Sequence, residues 1–144
     1  MIHTTIEINR APEIVRKVFL DFSSYQEWHQ GMVKEIKPLS DSPAVGNRVH
    51  CEMLDLTFDA IITSQKENSP AMFQWQGPPV VGISGLHTFS FEPSEVAAGG
   101  TTFVHKEEFS GAMSFLMQSW LVGWSMPGKF DGFNRDLKKR VESL

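Results

Sequence analysis

Residues 85–111, GLHTFSFEPSEVAAGGTTFVHKEEFSG, hold the pattern that decides the fold. In the first arm His87, Phe89 and Phe91 alternate with Thr88, Ser90 and Glu92. In the second, Phe103, His105, Glu107 and Phe109 alternate with Thr102, Val104, Lys106, Glu108 and Ser110. Alternation with a period of two marks strands, because side chains two apart share a face. Pro93 ends the first arm and Gly99-Gly100 opens the second, so the two form an antiparallel hairpin. If Phe91 faces Phe103, Phe89 falls opposite His105 and His87 opposite Glu107. One otherwise aromatic face then carries two imidazoles and a carboxylate, which is costly unless they are paired.

The rest of the chain bounds what that cluster can be part of. At 144 residues the chain is long enough for a single domain, 1–144, with a substantial core. A formal net charge of -4 offers no basic footprint for nucleic acid. The 41% hydrophobic and 21% charged content suits a soluble globular protein. Eleven Phe, four Trp and seven Met are many for this length and can fill a core or line a cavity for a flat, greasy ligand. A lone cysteine, Cys51, cannot form an intrachain disulfide, so a reducing, cytoplasmic setting is expected. MIHTTIEINR has no apolar run of the kind a signal peptide needs. The uncharged stretch from Phe109 to Gly128 is broken by serines, Gln118 and Pro127, and is read as a buried helix and not a membrane span.

In chain order, His3–Asn9 alternates as a first strand, and Pro12 opens a helix with Ile14, Val15, Val18, Phe19 and Phe22 on its apolar side. Ser24 is placed to cap a short second helix, Tyr25–His29. Strands follow at Val33–Pro38, Arg48–Leu54, Thr57–Thr63 and Met72–Gln76, the last with Phe73 and Trp75 on one face. Residues 77–85 form an apolar Gly/Pro-rich loop, either a flap over a cavity or a plain connection. Beyond the hairpin, Met113 to Trp124 reads as helix, with a kink or break at Pro127-Gly128. Phe130, Phe133, Leu137, Val141 and Leu144 then make a clean stripe. The order β-αα-ββββββ-α argues for an α+β fold, with a curved seven-stranded antiparallel sheet closing on the C-terminal helix.

This order resembles the polyketide cyclase/dehydrase branch of the SRPBCC, or START-like, superfamily. The residues that carry the resemblance are Tyr25-x-x-Trp28, Phe73-x-Trp75-x-Gly77 and Phe130-x-x-Phe133-Asn134-x-x-Leu137-Lys138. Above all they are Gly85-x-His87-x-Phe89-x-Phe91-x-Pro93 and Gly100-Thr101-x-x-x-His105-x-Glu107-x-Phe109-x-Gly111. The resemblance covers essentially the whole chain. It implies the helix-grip fold, a sheet wrapped on a long C-terminal helix around a deep hydrophobic cavity. Members bind lipids, hormones, polyketides and aromatic metabolites, and some catalyse cyclisation, dehydration or aldol-type steps. Relatives often carry Trp-Asn-Pro where this chain has Trp28-His29-Gln30, which marks His29 as a residue for the cavity mouth.

The candidate catalytic residues are His87 and Glu107, with His105 beside them. An imidazole and a carboxylate in a half-dry pocket can be tuned as general acid and base. The competing reading is a structural pair that ties two strands. Two His and a carboxylate could also form a facial metal triad, but the family usually works without one, and neither metal nor organic cofactor is expected. Candidate substrate-binding residues are Trp75, Phe73, Phe89, Phe103, Trp120, Trp124, Phe133 and His29, each with core packing as its alternative. The expected function is that of an enzyme, a cyclase or dehydratase, acting on a small hydrophobic or aromatic molecule. The alternatives are a non-catalytic carrier and a partner regulator using the Met113–Met126 surface. A homodimer is left open.

Overall fold

The structure is a computed structural model. It describes residues 1–144 except 43, 55, 69, 70 and 118–125, and the side chains at 116 and 117. Its elements are strands β1 (Ile2–Ile8), β2 (Val33–Pro38), β3 (Arg48–Met53), β4 (Leu56–Lys66), β5 (Ala71–Gln76), β6 (Ser84–Pro93) and β7 (Thr101–Ser110), with helices α1 (Pro12–Leu20) and α2 (Met126–Glu142). The strands make a seven-stranded sheet in the order β1-β7-β6-β5-β4-β3-β2. Every neighbouring pair is antiparallel. Register shifts at Val33/Glu35 and Ile62/Ser64 mark bulges, which bend strands and let a sheet curve. α2 packs across the concave face, burying Phe130, Phe133, Asn134, Leu137 and Val141, so the architecture is the expected helix grip. No helix among the described residues is long and apolar enough to cross a membrane.

Several local expectations are corrected. Residues Phe22–Glu27 form a 3-10 turn in place of a helix at Tyr25–His29. The carboxylate of Asp21 accepts from both Ser23 and Ser24, at 3.1 and 2.7 Å, so Ser24 is engaged there and does not cap. The described part of the apolar stretch after β7 is a 3-10 turn, Ser114–Met117. Pro127 is the second residue of α2 as described, a place where a missing N–H costs nothing, and the helix expected to run into it from Met113–Trp124 lies largely outside the described residues. Ile14 and Leu144 are exposed. The buried side of α1 is Val15 and Phe19, one turn apart, and Leu144 lies past the end of α2.

The inner face of the sheet changes character along the strands. At one end Phe19 projects from α1 into a cluster formed by Phe73, Phe89, Phe91 and Phe103, with ring centroids 4.5 to 6.1 Å away. Phe22 and Tyr25 close over it from the 3-10 turn. Towards the other end of the same strands the inward positions are Trp75, His87, Gly85, Glu107 and Phe109. Phe19 does not reach there, and these residues border a cavity. The aromatic plug on α1 therefore sets where the core stops and the cavity starts.

Candidate active site

The hairpin register is the one its alternation implies: Phe91 opposite Phe103, Phe89 opposite His105, His87 opposite Glu107. His87 Nε2 lies 2.9 Å from Glu107 Oε1, with the two side chains only 4% and 8% exposed. Neither His87 Nδ1 nor Glu107 Oε2 has a hydrogen-bond partner among the described residues. Trp75 faces His87 across β5 and β6, ring centroids 5.7 Å apart, and its indole N–H is likewise buried and unpartnered.

These three residues border a cavity of about 270 Å³. The rest of its described wall is apolar. Met53, Leu54, Leu56 and Phe58 come from the β3–β4 hairpin, Phe109 from β7 and Met126 from the start of α2. Pro78, Val80, Val81 and Ile83 come from the loop between β5 and β6. That loop is thus part of the cavity wall and not only a connection. It folds back through a Val80–Ile83 bridge, with Val81 at φ 51° and Gly82 at φ 74°. The hairpin and loop residues had no periodic signal that separated a cavity wall from ordinary inward packing.

His105 is fully buried but does not border the cavity. Its Nδ1 lies 3.1 Å from Asn134 Oδ1. Asn134 Nδ2 donates to Thr4 Oγ1 at 2.9 Å, and that hydroxyl donates to the backbone carbonyl of His105 at 3.0 Å. An amide oxygen only accepts, so Nδ1 carries the proton. Burial, reinforced by nearby His87, pushes the His105 pKa well below its ordinary value, and the Asn134 hydrogen bond opposes this only in part. His105 is therefore held neutral with a fixed tautomer. The three candidate groups do not converge on one point: His87 Nε2 meets Glu107, whereas His105 Nδ1 is turned to Asn134. Among the described residues no cluster of three or more His, Cys, Asp or Glu is placed to hold a metal ion.

His29 is also buried, but apart from this cavity. The Val33 backbone N–H donates to its Nε2 at 3.0 Å, so Nδ1 carries the proton and donates to Asp136 Oδ2 at 2.8 Å. Both ring nitrogens are occupied, and the ring stands edge-on to Phe133. His29 and Phe133 border a second cavity of about 310 Å³, between α2 and the start of β2, with Leu54 bordering both cavities. The expected aromatic wall is thus split. Trp75 borders the main cavity, whereas Phe73, Phe89 and Phe103 are packed around Phe19 and border neither. The expected positions Trp120 and Trp124 lie outside the described residues. Cys51 is buried, and burial pushes its thiol up to about 12, so it is no nucleophile.

Solved structures share this fold at low identity. The chain superposes on a hypothetical protein from Helicobacter pylori with a TM-score of 0.79 and 14% identity, covering 97% of this chain and 86% of that one. Norcoclaurine synthase from Thalictrum flavum gives a TM-score of 0.73 at 12% identity, covering 99% and 86%. The di-domain ARO/CYC StfQ of the steffimycin biosynthetic pathway gives 0.71 at 9%, covering 99% of this chain and 45% of that one. No curated protein matches the sequence. The family model described as polyketide cyclase / dehydrase and lipid transport matches residues 1–142. With that match spanning nearly the whole sequence, and with a helix-grip fold around an apolar cavity, the chain belongs to the polyketide cyclase/dehydrase and lipid transport family.

Proposed function

We propose that this protein is a cofactor-independent enzyme that holds a small aromatic or polyketide-like carbonyl compound in the cavity beside Trp75, with His87 as its acid–base residue. The observation that carries this is the His87–Glu107 pair, an imidazole and a carboxylate set in the wall of an otherwise apolar cavity. With Glu107 as carboxylate, Nε2 of His87 carries the proton and Nδ1 keeps an unpartnered lone pair, buried here and reached by substrate when the side chains over it shift. Glu107 orients the ring and stabilises the imidazolium that forms. Nδ1 takes a proton from the carbon next to the substrate carbonyl, and the electron pair moves onto the carbonyl oxygen. The imidazolium returns that proton either to a hydroxyl that leaves as water or to a second carbonyl oxygen that the enolate carbon attacks. The two outcomes are dehydration and ring closure, and both balance without oxidant or reductant. The apolar wall excludes water and strengthens the polar contacts inside. The lone buried Cys51 supports a reducing, cytoplasmic setting for this reaction.

A carrier role is the second reading, supported by the lipid transport half of the family description. Proton exchange separates the two. The protein is incubated in D2O with a series of aryl ketones, and loss of the α-hydrogen signals is followed by NMR. Exchange above the buffer rate that falls ~10²–10⁴-fold in folded His87→Ala supports the enzyme. Ketones that bind without accelerated exchange support the carrier.

A further inference from the structure

We infer that Gly85 is a positioning residue of this site, because the hydrogen in place of its side chain leaves the space in which the Glu107 carboxylate reaches His87. Gly85 lies on β6 two residues before His87, on the same inward face, and opposite Phe109. A Cβ built on Gly85 would run into Glu107 Oε1, the oxygen that pairs with His87, and would stand 3.2 Å from the carboxylate carbon. The approach to Oε1 is closer than real Cβ atoms come, so the carboxylate and the methyl cannot share the place.

Two other common reasons for a glycine do not apply. Its backbone is not among the positive-φ positions, which are Gly46, Gly82, Gly99 and Gly111 among the glycines, so an L side chain meets no backbone strain there. Glycine weakens a strand interior, so local propensity does not favour it. Nor can the backbone drift to relieve a collision. The Gly85 carbonyl accepts from the Gly77 N–H at 2.8 Å and from Gln76 Nε2 at 3.1 Å. What must move is the end of the Glu107 side chain, and moving it breaks the bond that fixes which nitrogen of His87 carries the proton.

The catalytic consequence rests on the proposed acid–base reading, but the geometric claim does not, and the test needs no ligand. The 15N and 1H spectrum of the His87 ring is recorded for wild type, Gly85→Ala, Glu107→Ala and the double variant. The expected result is that Gly85→Ala loses the carboxylate-bonded Nε2–H signal, as Glu107→Ala does, and that adding Gly85→Ala to Glu107→Ala changes nothing further. A wild-type Nε2–H signal in Gly85→Ala overturns the inference. So does a Gly85→Ala effect of equal size in the Glu107→Ala background. If Gly85→Ala fails to fold, the double variant decides: recovery of the fold once the carboxylate is gone supports the collision, and failure of both overturns it. If the catalytic reading holds, ketone α-proton exchange in folded Gly85→Ala falls by the same factor as in Glu107→Ala. If this protein exchanges no ketone protons at all, the spectra still test the role of Gly85.

Discussion

His105 lies flat against Phe130, ring centroids 4.1 Å apart and planes 10° from parallel. The stack fastens β7 to α2, and Asn134, one turn along the helix, holds the same ring by its edge. A ring so enclosed resists protonation, and this has a pH signature. The folded pKa lies well below the reference of 6.5, so below about that pH the unfolded chain binds a proton that the folded chain refuses. Stability from this group is complete above pH ~6.5 and is lost as the pH falls towards the folded pKa, at up to about 1.4 kcal/mol per unit. Urea unfolding at pH 5, 6 and 7 should show this slope in wild type and its loss in His105→Phe. An equal slope in both would assign it to other groups.

The opposite sign is expected at His50 on the outer face. Its Nδ1 is 2.8 Å from Asp59 Oδ1, and that hydrogen bond, with help from the charges of Asp59, Glu52 and Glu35, raises its pKa above 6.5. Any stability it contributes is present below the unfolded value and fades as pH rises through the folded one. The side chain is about a third exposed, at 31%, so the effect belongs in a titration and not in a stability ledger. The His50 ring signal should titrate above pH 6.5 in wild type and move down in Asp59→Asn. An unmoved midpoint would remove the pairing.

How far the sequence reached can be traced residue by residue. The pairing of His87 with Glu107 was legible because period-2 alternation assigns faces and the two Phe-rich arms allow one sensible register. Alternation does not say what stands above an inward side chain. Phe89 and His87 look equivalent along β6, yet Phe89 meets Phe19 and His87 meets the cavity. That difference comes from where α1 crosses the sheet. Asn134 sits in the helix pattern Phe130-x-x-Phe133-Asn134, but its role is not legible there, because its partner Thr4 is 130 residues away. Gly85 was missed for a different reason: its contribution is a space, and only the position of a neighbouring carboxylate reveals it.

Phe19 should be the most sensitive apolar position outside the sheet. It is almost completely buried and touches rings from the 3-10 turn after α1, from β5, β6 and β7, and from α2. Phe19→Ala is expected to cost about 3–5 kcal/mol, the range for large aromatic truncations in a packed core. Phe19→Leu should recover much of that loss. The denaturant midpoint measures both. A loss below about 1 kcal/mol for the alanine variant would mean that α1 collapses freely onto the sheet and that the plug is not rigid.

The His87–Glu107 pair should respond unequally to removal of its two halves. His87→Ala leaves a carboxylate among Trp75, Phe109 and Met126 without its hydrogen-bond donor, and an unsatisfied buried charge costs more than the ~1–3 kcal/mol of a neutral group. Glu107→Gln keeps an oxygen that can accept from Nε2–H at the same place. It loses only the difference between a charged and a neutral hydrogen bond, about 1–2 kcal/mol. The denaturant midpoint should therefore fall much further for His87→Ala. Activity sorts the variants differently. For an enzyme, Glu107→Gln keeps the ring oriented but stabilises the imidazolium less, so ketone exchange per folded molecule falls while the molecule stays folded. For a structural tie, exchange per folded molecule is the same in Glu107→Gln as in wild type, and stability alone responds. Measuring both quantities on the same samples separates the roles, because a loss of exchange in a variant that remains folded cannot come from strand pairing.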